Sequence, residues 1–194
     1  MALAYAKTTE LEAVNVCLGT IGERPVNEVP DSGVSTATLA RDTVHEVNRL
    51  VQEEGLACNQ EFKVKLSVSD DEIALPATCI SVDPSYLADN HYVERNSKLY
   101  DRKNHTYTMT KDVFVDIIYF LKFTDLPEHV RRYITVLAGR LFQRRWLADG
   151  EIEKITEADE LKAKRQFVRK ESNIADASIL DNPHMNPRVF RRQR

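Results

Sequence analysis

The sequence predicts an α+β fold, in which a discontinuous helical bundle is built from both chain ends and an antiparallel β-rich platform is inserted between them. Two observations lead to this prediction. Apolar residues recur at helical spacing near both ends of the 194-residue chain, and they alternate with polar residues in its middle. We therefore predict a helical domain from residues 1–60 plus 126–194 and a β-rich domain from residues 61–125.

The first predicted helix carries a signal at each end. Thr9, followed three residues later by Glu12, forms a capping box in which each side chain accepts a hydrogen bond from a backbone N–H of the first turn. Gly22 can take the left-handed conformation that ends many helices, and Pro25 prevents the helix from resuming. The apolar face of this helix consists of Leu11, Val14, Leu18 and Ile21.

A second helix is predicted from about Ser35 to Glu54, because Gly55 supplies a stop. Its apolar face is predicted to contain Leu39, Val44, Val47 and Val51. Its charged residues are expected to face solvent; they are Arg41, Asp42, Glu46, Arg49, Glu53 and Glu54.

From Glu61 the apolar period changes to two, which is typical of half-buried strands. The inward residues of the first strand are predicted to be Phe62, Val64, Leu66 and Val68. A hairpin is predicted around the two-residue turn Asn96-Ser97. The remaining strands are predicted at 73–82, 92–95, 98–101, 106–109 and 114–123, the last being the most buried. Together these segments predict a sheet of five or six strands.

Helical spacing returns after Asp125, the expected N-cap, with Pro127 and Glu128 in the first turn. The apolar face of this helix is predicted to contain Val130, Ile134, Leu137, Leu141 and Phe142. Asp149-Gly150 is predicted to end it. A last amphipathic helix is predicted from Glu151 to about Ser178, stopped by Asn182-Pro183 and carrying Ile152, Ile155, Leu161, Phe167 and Ile174.

The net charge of −3 conceals an uneven distribution. Residues 1–125 contain 12 Lys and Arg against 20 Asp and Glu, a balance of −8, whereas residues 126–194 contain 15 against 10, a balance of +5. The two parts are therefore expected to face different surroundings, or to face each other across subunits.

Two groups of arginines are candidate contact residues. Arg140, Arg144 and Arg145 lie at a predicted helix end, where they either favour the helix dipole or contact a phosphate or a partner. The C-terminal segment, which carries no acid from Asn186 onward, is expected to seek an acidic surface, either nucleic acid or a partner protein. Its arginines are Arg188, Arg191, Arg192 and Arg194.

No catalytic, cofactor or metal motif is found. The five histidines lack HxH and HExxH spacing, and the three cysteines (Cys17, Cys58 and Cys79) are expected to be reduced core residues. Glycoside hydrolysis stays open, because it needs only two carboxylates roughly 5–10 Å apart. Tyr86 with Asp89 and Tyr100 with Asp101 could serve such a site.

A membrane or secreted location is not expected. No apolar run approaches the roughly 20 residues that span a bilayer. The opening residues lack the basic region of a secretory signal. We therefore expect a soluble protein made in the cytoplasm.

Several segments resemble, in the same order, the tail tubular protein A family, the head-to-tail adaptors of short-tailed podovirus phages. The first runs from Glu10-Leu-Glu-Ala-Val-Asn through Leu18 and Ile21-Gly22-Glu23 to Pro25-Val26. The later ones are Leu99-Tyr-Asp-Arg102, Leu126-Pro-Glu128 and the stretch from Arg132-Tyr133 to Arg140 and Phe142. The resemblance covers roughly the first 150 residues, and none of its motifs is catalytic.

The resemblance implies a structural subunit of the virion tail. It implies a ring, usually of twelve copies, between the portal protein and the tail nozzle (tubular protein B), with genomic DNA leaving through the central channel. The helical part would meet the portal and the β platform the nozzle. The alternative is a tail-associated saccharide-binding protein or glycoside hydrolase acting on host surface polysaccharide. A free nucleic-acid-binding module is disfavoured by the acidic overall balance.

Overall fold

The computed structural model describes residues 7–30, 33–147 and 150–180. The described residues form four α-helices and five β-strands, which alternate in blocks along the chain. In chain order these elements are α1 (Glu10–Thr20), α2 (Thr36–Glu53), β1 (Gln60–Leu66), β2 (Cys79–Pro84), β3 (Tyr92–Arg95), β4 (Lys98–Asp101), β5 (Val113–Tyr119), α3 (Glu128–Trp146) and α4 (Gly150–Leu180).

The chain packs as two compact units. Met1–Asn48 with Phe123–Arg194 forms the first, which we call the helical unit, and Arg49–Lys122 forms the second, the strand unit. The sequence placed the first boundary at residue 60, whereas the division falls inside α2. The last turn of α2 belongs to the strand unit because the Gln52 side chain hydrogen-bonds both backbone groups of Leu121, at 2.9 and 2.8 Å.

Both predicted ends of α1 are confirmed. The Glu12 N–H donates to the Thr9 hydroxyl at 3.2 Å, and the Thr9 N–H donates to the Glu12 carboxylate at 2.7 Å. Gly22 has a φ of 78°, which ends the helix and lets the Glu23 N–H donate to the Leu18 carbonyl at 3.0 Å. Two local signals thus place α1 within about a residue of its prediction.

Removal of the N-terminal cap should cost a small, defined amount of stability. We expect Thr9→Ala to lower the free energy of unfolding by about 1 kcal/mol, because one N–H of the first turn loses its acceptor. Urea denaturation followed by circular dichroism measures the change. Thr110→Ala, at an exposed loop position, is the matched control and should change stability by less than about 0.5 kcal/mol. Equal effects of the two variants would contradict the role of the cap.

The apolar face of α2 is predicted correctly at three of four positions. Val44, Val47 and Val51 are buried, but Leu39 is 38% exposed, so its assignment is wrong. At 100° per residue the three valines share a face with Ala37 and Ala40, both buried, and Leu39 points away from it. Of the six charged residues, only Arg41 is partly buried.

The predicted inward position of Phe62 on β1 is wrong, since its side chain is 67% exposed. The register with β5 shifts between Glu61 and Val64, and Lys63 has a φ of 54°. Its N–H donates to the Asp116 carboxylate at 2.8 Å instead of to a strand partner. This bulge inserts a residue and turns Phe62 outward, whereas Leu66 beyond it is buried as predicted.

The strands form two sheets rather than the single predicted one. One has the order β1-β5-β2 and the other is the β3–β4 hairpin; all pairs are antiparallel. The hairpin prediction is confirmed, with φ of 56° at Asn96 and 55° at Ser97, as a type I′ turn requires. The segment 106–109 is not a strand but makes one bridge, from Thr106 to Asp101. The predicted strand 73–82 forms only from Cys79 onward.

The core of the strand unit lies behind β5. Val113, Val115 and Ile117 on one face of this strand are fully buried, and they pack with side chains from the hairpin and from the loops that flank β2. Phe114, between them, is 37% exposed, as strand alternation requires. Of the cysteines, Cys17 in α1 is buried as expected and Cys58 is exposed, which contradicts the prediction of a core role.

The start of α3 differs from its prediction. Pro127 is the N-cap and makes no side-chain hydrogen bond, while Asp125 lies in a short 3₁₀ turn before it. Within α3, Val130, Ile134 and Phe142 are buried, and Leu137 and Leu141 are half-buried.

The last helix buries less of its predicted apolar face than expected. Gly150 begins α4, and Asp149 lies outside the described residues, as do Asn182 and Pro183. Phe167 is buried, but Leu161 and Ile174 are 50% and 46% exposed. Two further predicted positions, Ile152 and Ile155, lie outside the side chains that the structure describes.

Candidate docking surfaces

The helices α3 and α4 pack against each other in antiparallel orientation through aromatic and polar contacts. The rings of Tyr133 and Phe167 stack, with centroids 4.6 Å apart and planes 15° apart. One turn away, His129 Nε2 lies 2.7 Å from Glu171 Oε1. Because the helices are antiparallel, residue numbers rise along one as they fall along the other. Polar residues of both helices beside the Tyr133–Phe167 ring stack therefore line a common groove.

This groove has a volume of about 640 Å³. Its floor is formed by side chains that are 6–8% exposed, namely Tyr133, Ala163 and Phe167. Its rim carries three exposed cations, which are Arg132, Arg169 and Lys170. Within the described residues, no carboxylate oxygen lies within 4.0 Å of these three cations. The groove therefore combines an apolar floor with a positive rim.

A second groove, of about 330 Å³, continues the first along α1. Val16 and Thr20 of α1 line it together with Gly139 of α3, where a Cβ would make van der Waals contact with the Thr20 methyl group at 3.4 Å. The two grooves share three lining residues, Arg132, Ala163 and Gln166. They form one continuous depression, which we call the α3–α4 trough.

Two of the three arginines predicted at the end of α3 are held by carboxylates of the same unit. Arg140 pairs with Glu160, and its Nη2 lies 3.9 Å from Glu157. Arg145 binds Glu46 through two hydrogen bonds of 2.6 and 2.8 Å, which raise the pKa of its guanidinium.

The remaining predicted arginines are placed differently. Arg144 is exposed in the last turn of α3, where its charge favours the helix dipole. The predicted partner-docking residues Arg188, Arg191, Arg192 and Arg194 lie outside the described residues. The partner-docking role of these four arginines therefore stays a prediction. A phosphate or partner contact of Arg140, Arg144 and Arg145 also stays a prediction.

The strand unit presents a second candidate surface, which is aromatic. Tyr86 and Phe114 meet edge to face with ring centroids 6.1 Å apart, and their side chains are 47% and 37% exposed. Phe62, turned outward by the bulge in β1, is also exposed. Aromatic side chains that stay in solvent are typical of protein–protein contact surfaces.

The two acids considered for saccharide chemistry have structural partners. Asp89 is 8% exposed and pairs with Lys111 at 2.7 Å. Burial acts to raise the pKa of Asp101, but hydrogen bonds from Asn104 and from the Lys103 N–H outweigh it and lower the pKa below its ordinary value. A general acid in glycoside hydrolysis needs the opposite shift. Glycoside hydrolysis therefore stays a prediction, and neither Asp89 nor Asp101 is assigned to it as a general acid.

Among the described residues, no group of three His, Cys, Asp or Glu side chains could hold a metal ion. Within those residues, no helix combines the length and the apolar character needed to cross a membrane.

Sequence reasoning missed the trough. Gln166, Arg169, Lys170 and Asn173 recur at helical spacing on α4 beside the buried Phe167, so a polar stripe next to an apolar one was visible. Several polar stripes of this kind lie on α4, however. Which of them borders the neighbouring helix depends on how α4 packs.

Comparisons with known proteins agree with the resemblance found in the sequence. A family model described as tail tubular protein matches residues 11–177, which include most of both units. The chain is also similar to the tail tubular protein A of Klebsiella phage KP34, with 29% identity over 125 residues. That alignment covers 64% of this chain and 66% of the phage protein. The chain therefore belongs to the tail tubular protein family and is a structural component of a phage tail.

Proposed function

We propose that the protein is the subunit of an adaptor ring between the portal and the tail nozzle, through which genomic DNA is ejected. The observation that carries the proposal is the family match over residues 11–177, because it extends through both units. A ring subunit that joins two different neighbours needs two separate docking surfaces. The trough of the helical unit and the aromatic surface of the strand unit supply candidates.

The assignment of each unit to a partner forms part of the proposal. The helical unit, a bundle built from both chain ends, docks the portal, and the strand unit is the platform for the nozzle protein. The ring contains twelve copies in the virion, and each copy is made in the host cytoplasm before assembly. These assignments rest on the family resemblance.

The charge distribution supports a channel that DNA crosses without sticking. A formal charge of −3 per chain becomes about −36 in a ring of twelve, because symmetry repeats every charge. A bore lined by the acidic part of the chain would repel the phosphate backbone during ejection. The basic part, residues 126–194, would then bind acidic neighbours.

Electron microscopy of the purified protein mixed with its cognate portal tests the proposal. We expect rings that cap one end of the portal assembly, with twelvefold symmetry in class averages. The same protein imaged alone controls for rings that form without the portal. A mixture in which portals stay uncapped at all protein ratios would exclude the adaptor role, while the membership in a tail protein family would stand.

The four arginines of the tail are expected to contribute to portal docking. Replacing Arg188, Arg191, Arg192 and Arg194 by Ser should weaken capping, because it removes four positive charges that attract an acidic surface. The loss should be largest at low salt, because salt screens charge pairs. Co-sedimentation with the portal over a salt series measures the loss. Unchanged co-sedimentation at every salt concentration would show that the C-terminal arginines do not contribute to portal docking.

A further inference from the structure

We propose that the α3–α4 trough binds an acidic amphipathic helix that belongs to another protein of the tail assembly. The proposal deepens the adaptor role and rests on it only for the source of this helix. The trough itself, with its apolar floor and positive rim, is observed independently of that role. Grooves of this kind recognise helices through an apolar face that enters the groove and polar residues that meet its edges.

The length of the trough suits a helix. Its lining on α4 extends from Asp159 to Asn173, which at 1.5 Å per residue corresponds to about 21 Å. A docked helix of the same length has about four turns, enough to place one apolar side chain per turn on the floor. The floor offers apolar contacts along the trough, at Val16, Val136 and Ala163 among others.

The charge of the rim selects an acidic occupant. Four cations line the trough without an ion pair to any described carboxylate, and they are Arg132, Lys162, Arg169 and Lys170. The lining carboxylates are Glu128 and Asp159, and Glu128 already accepts hydrogen bonds from the N–H and hydroxyl of Thr8 at 2.8 and 2.7 Å. Carboxylates on a docked helix would pair with the four cations.

Two other occupants fit less well. Residues 181–194 of the same chain carry four arginines and one aspartate, so their charge repels that of the rim. Single-stranded nucleic acid would require aromatic faces on which bases can stack. The Tyr133 and Phe167 rings stack on each other and are 8% and 6% exposed, so these faces are covered.

A labelled peptide tests the site directly. The probe is a fluorescein-labelled helical peptide of about 18 residues, with Leu on one face and Glu on the others, and its affinity is measured by fluorescence anisotropy. The double variant Arg132→Glu, Lys170→Glu should weaken binding by about tenfold or more. The matched variant Lys164→Glu, Arg165→Glu changes two exposed cations of α4 outside the trough and should alter affinity by less than about twofold. Thermal unfolding checks that both variants are folded.

Several results would overturn the proposal. Equal weakening by the two double variants would mean that the peptide senses only the net charge of the helix. Equal binding of a control peptide with Lys in place of Glu would show that the rim does not select acids. Duplex DNA competing with the peptide at stoichiometric concentration would assign the trough to phosphates. Loss of self-association in the Arg132→Glu, Lys170→Glu variant (the trough variant), measured by sedimentation velocity without a portal, would mean that the trough binds a second copy of this chain.

Portal capping separates the two proposals. If the wild-type protein caps portals and the trough variant does so equally well, the trough is not the docking site and the adaptor role stands. If the wild-type protein fails to cap portals, the adaptor role is excluded, and the peptide measurement still decides whether the trough binds an acidic helix.

Discussion

Replacement of Arg131 by Met is expected to lower the free energy of unfolding of the helical unit by about 3 kcal/mol. This side chain is 6% exposed and donates three hydrogen bonds to backbone carbonyls. Its Nε donates to Leu126 at 2.9 Å, one terminal nitrogen donates to Thr8 at 3.0 Å, and the other donates to Thr124. The guanidinium also lies 5.9 Å from the centre of the Phe123 ring.

The size of the effect follows from what the substitution leaves behind. Met fills a similar volume, so the main loss is in hydrogen bonding. The three carbonyls that accept from the guanidinium lose this donor. Each unsatisfied buried group costs about 1–3 kcal/mol, and partial access of water reduces the total. The segment before α1 and the turn before α3 are both held by this one side chain, so both should loosen together.

Urea denaturation of Arg131→Met and of its neighbour Arg132→Met provides the measurement and the control. Arg132 is exposed and forms no ion pair with a described carboxylate, so its replacement should change stability by less than about 0.5 kcal/mol. Arg132 also lines the trough, so an unchanged stability would show that loss of this guanidinium leaves the fold intact. A loss below about 1 kcal/mol for Arg131→Met would mean that water replaces the guanidinium.

Asn59→Ala is expected to destabilise the strand unit by about 2–3 kcal/mol. The Asn59 side chain is 2% exposed and uses both of its polar atoms. Its Oδ1 accepts from the Leu56 N–H at 2.7 Å, and its Nδ2 donates to the carbonyls of Gln52 and Tyr119 at 3.1 and 2.9 Å. These bonds connect the end of α2, the turn after it and the end of β5. Alanine removes the partner of the Leu56 N–H and of the Tyr119 carbonyl in a buried place, whereas the Gln52 carbonyl keeps the Gly55 N–H at 3.1 Å.

Hydrogen exchange of the β5 amides, measured together with urea denaturation, would detect this loss. We expect faster exchange at Tyr119, whose N–H donates to the backbone carbonyl of residue Asn59 at 2.8 Å, because the segment around that carbonyl loosens when the side-chain bonds are lost. The matched control is Asn90→Ala, because the Asn90 residue is exposed and its contact with Arg102 uses the backbone carbonyl, which alanine keeps. Exchange rates at β5 that match those of the control would show that the Asn59 network is dispensable.

Three features that depend on neighbouring residues were predicted correctly from the sequence, although the local N-cap prediction at Asp125 was wrong. The capping box of Thr9 and Glu12, the left-handed Gly22 and the Asn96-Ser97 turn all involve groups within a few residues of one another. Their geometry is therefore set by the local chain. The order of short motifs along the chain also predicted the tail tubular family, which the comparisons confirm.

Part of the candidate site was also visible in the sequence. The positive balance of residues 126–194 and the arginines at the end of α3 indicated a basic contact region. The particular residues were not predicted, because Arg140 and Arg145 are held by Glu160 and Glu46, which are distant in sequence. Arg132 and Lys170 border the trough instead.

By itself, then, the sequence determined the helices, the hairpin and the sign of charge on each part of the chain, because these depend on local spacing and composition, and the resemblance of its ordered motifs indicated the family. Only the tertiary structure decided that Phe62 points outward and that Arg131 is buried. Each of these outcomes depends on a contact between residues far apart in sequence, such as the register of β1 against β5. The trough is of the same kind, since it exists only where α3 and α4 pack together.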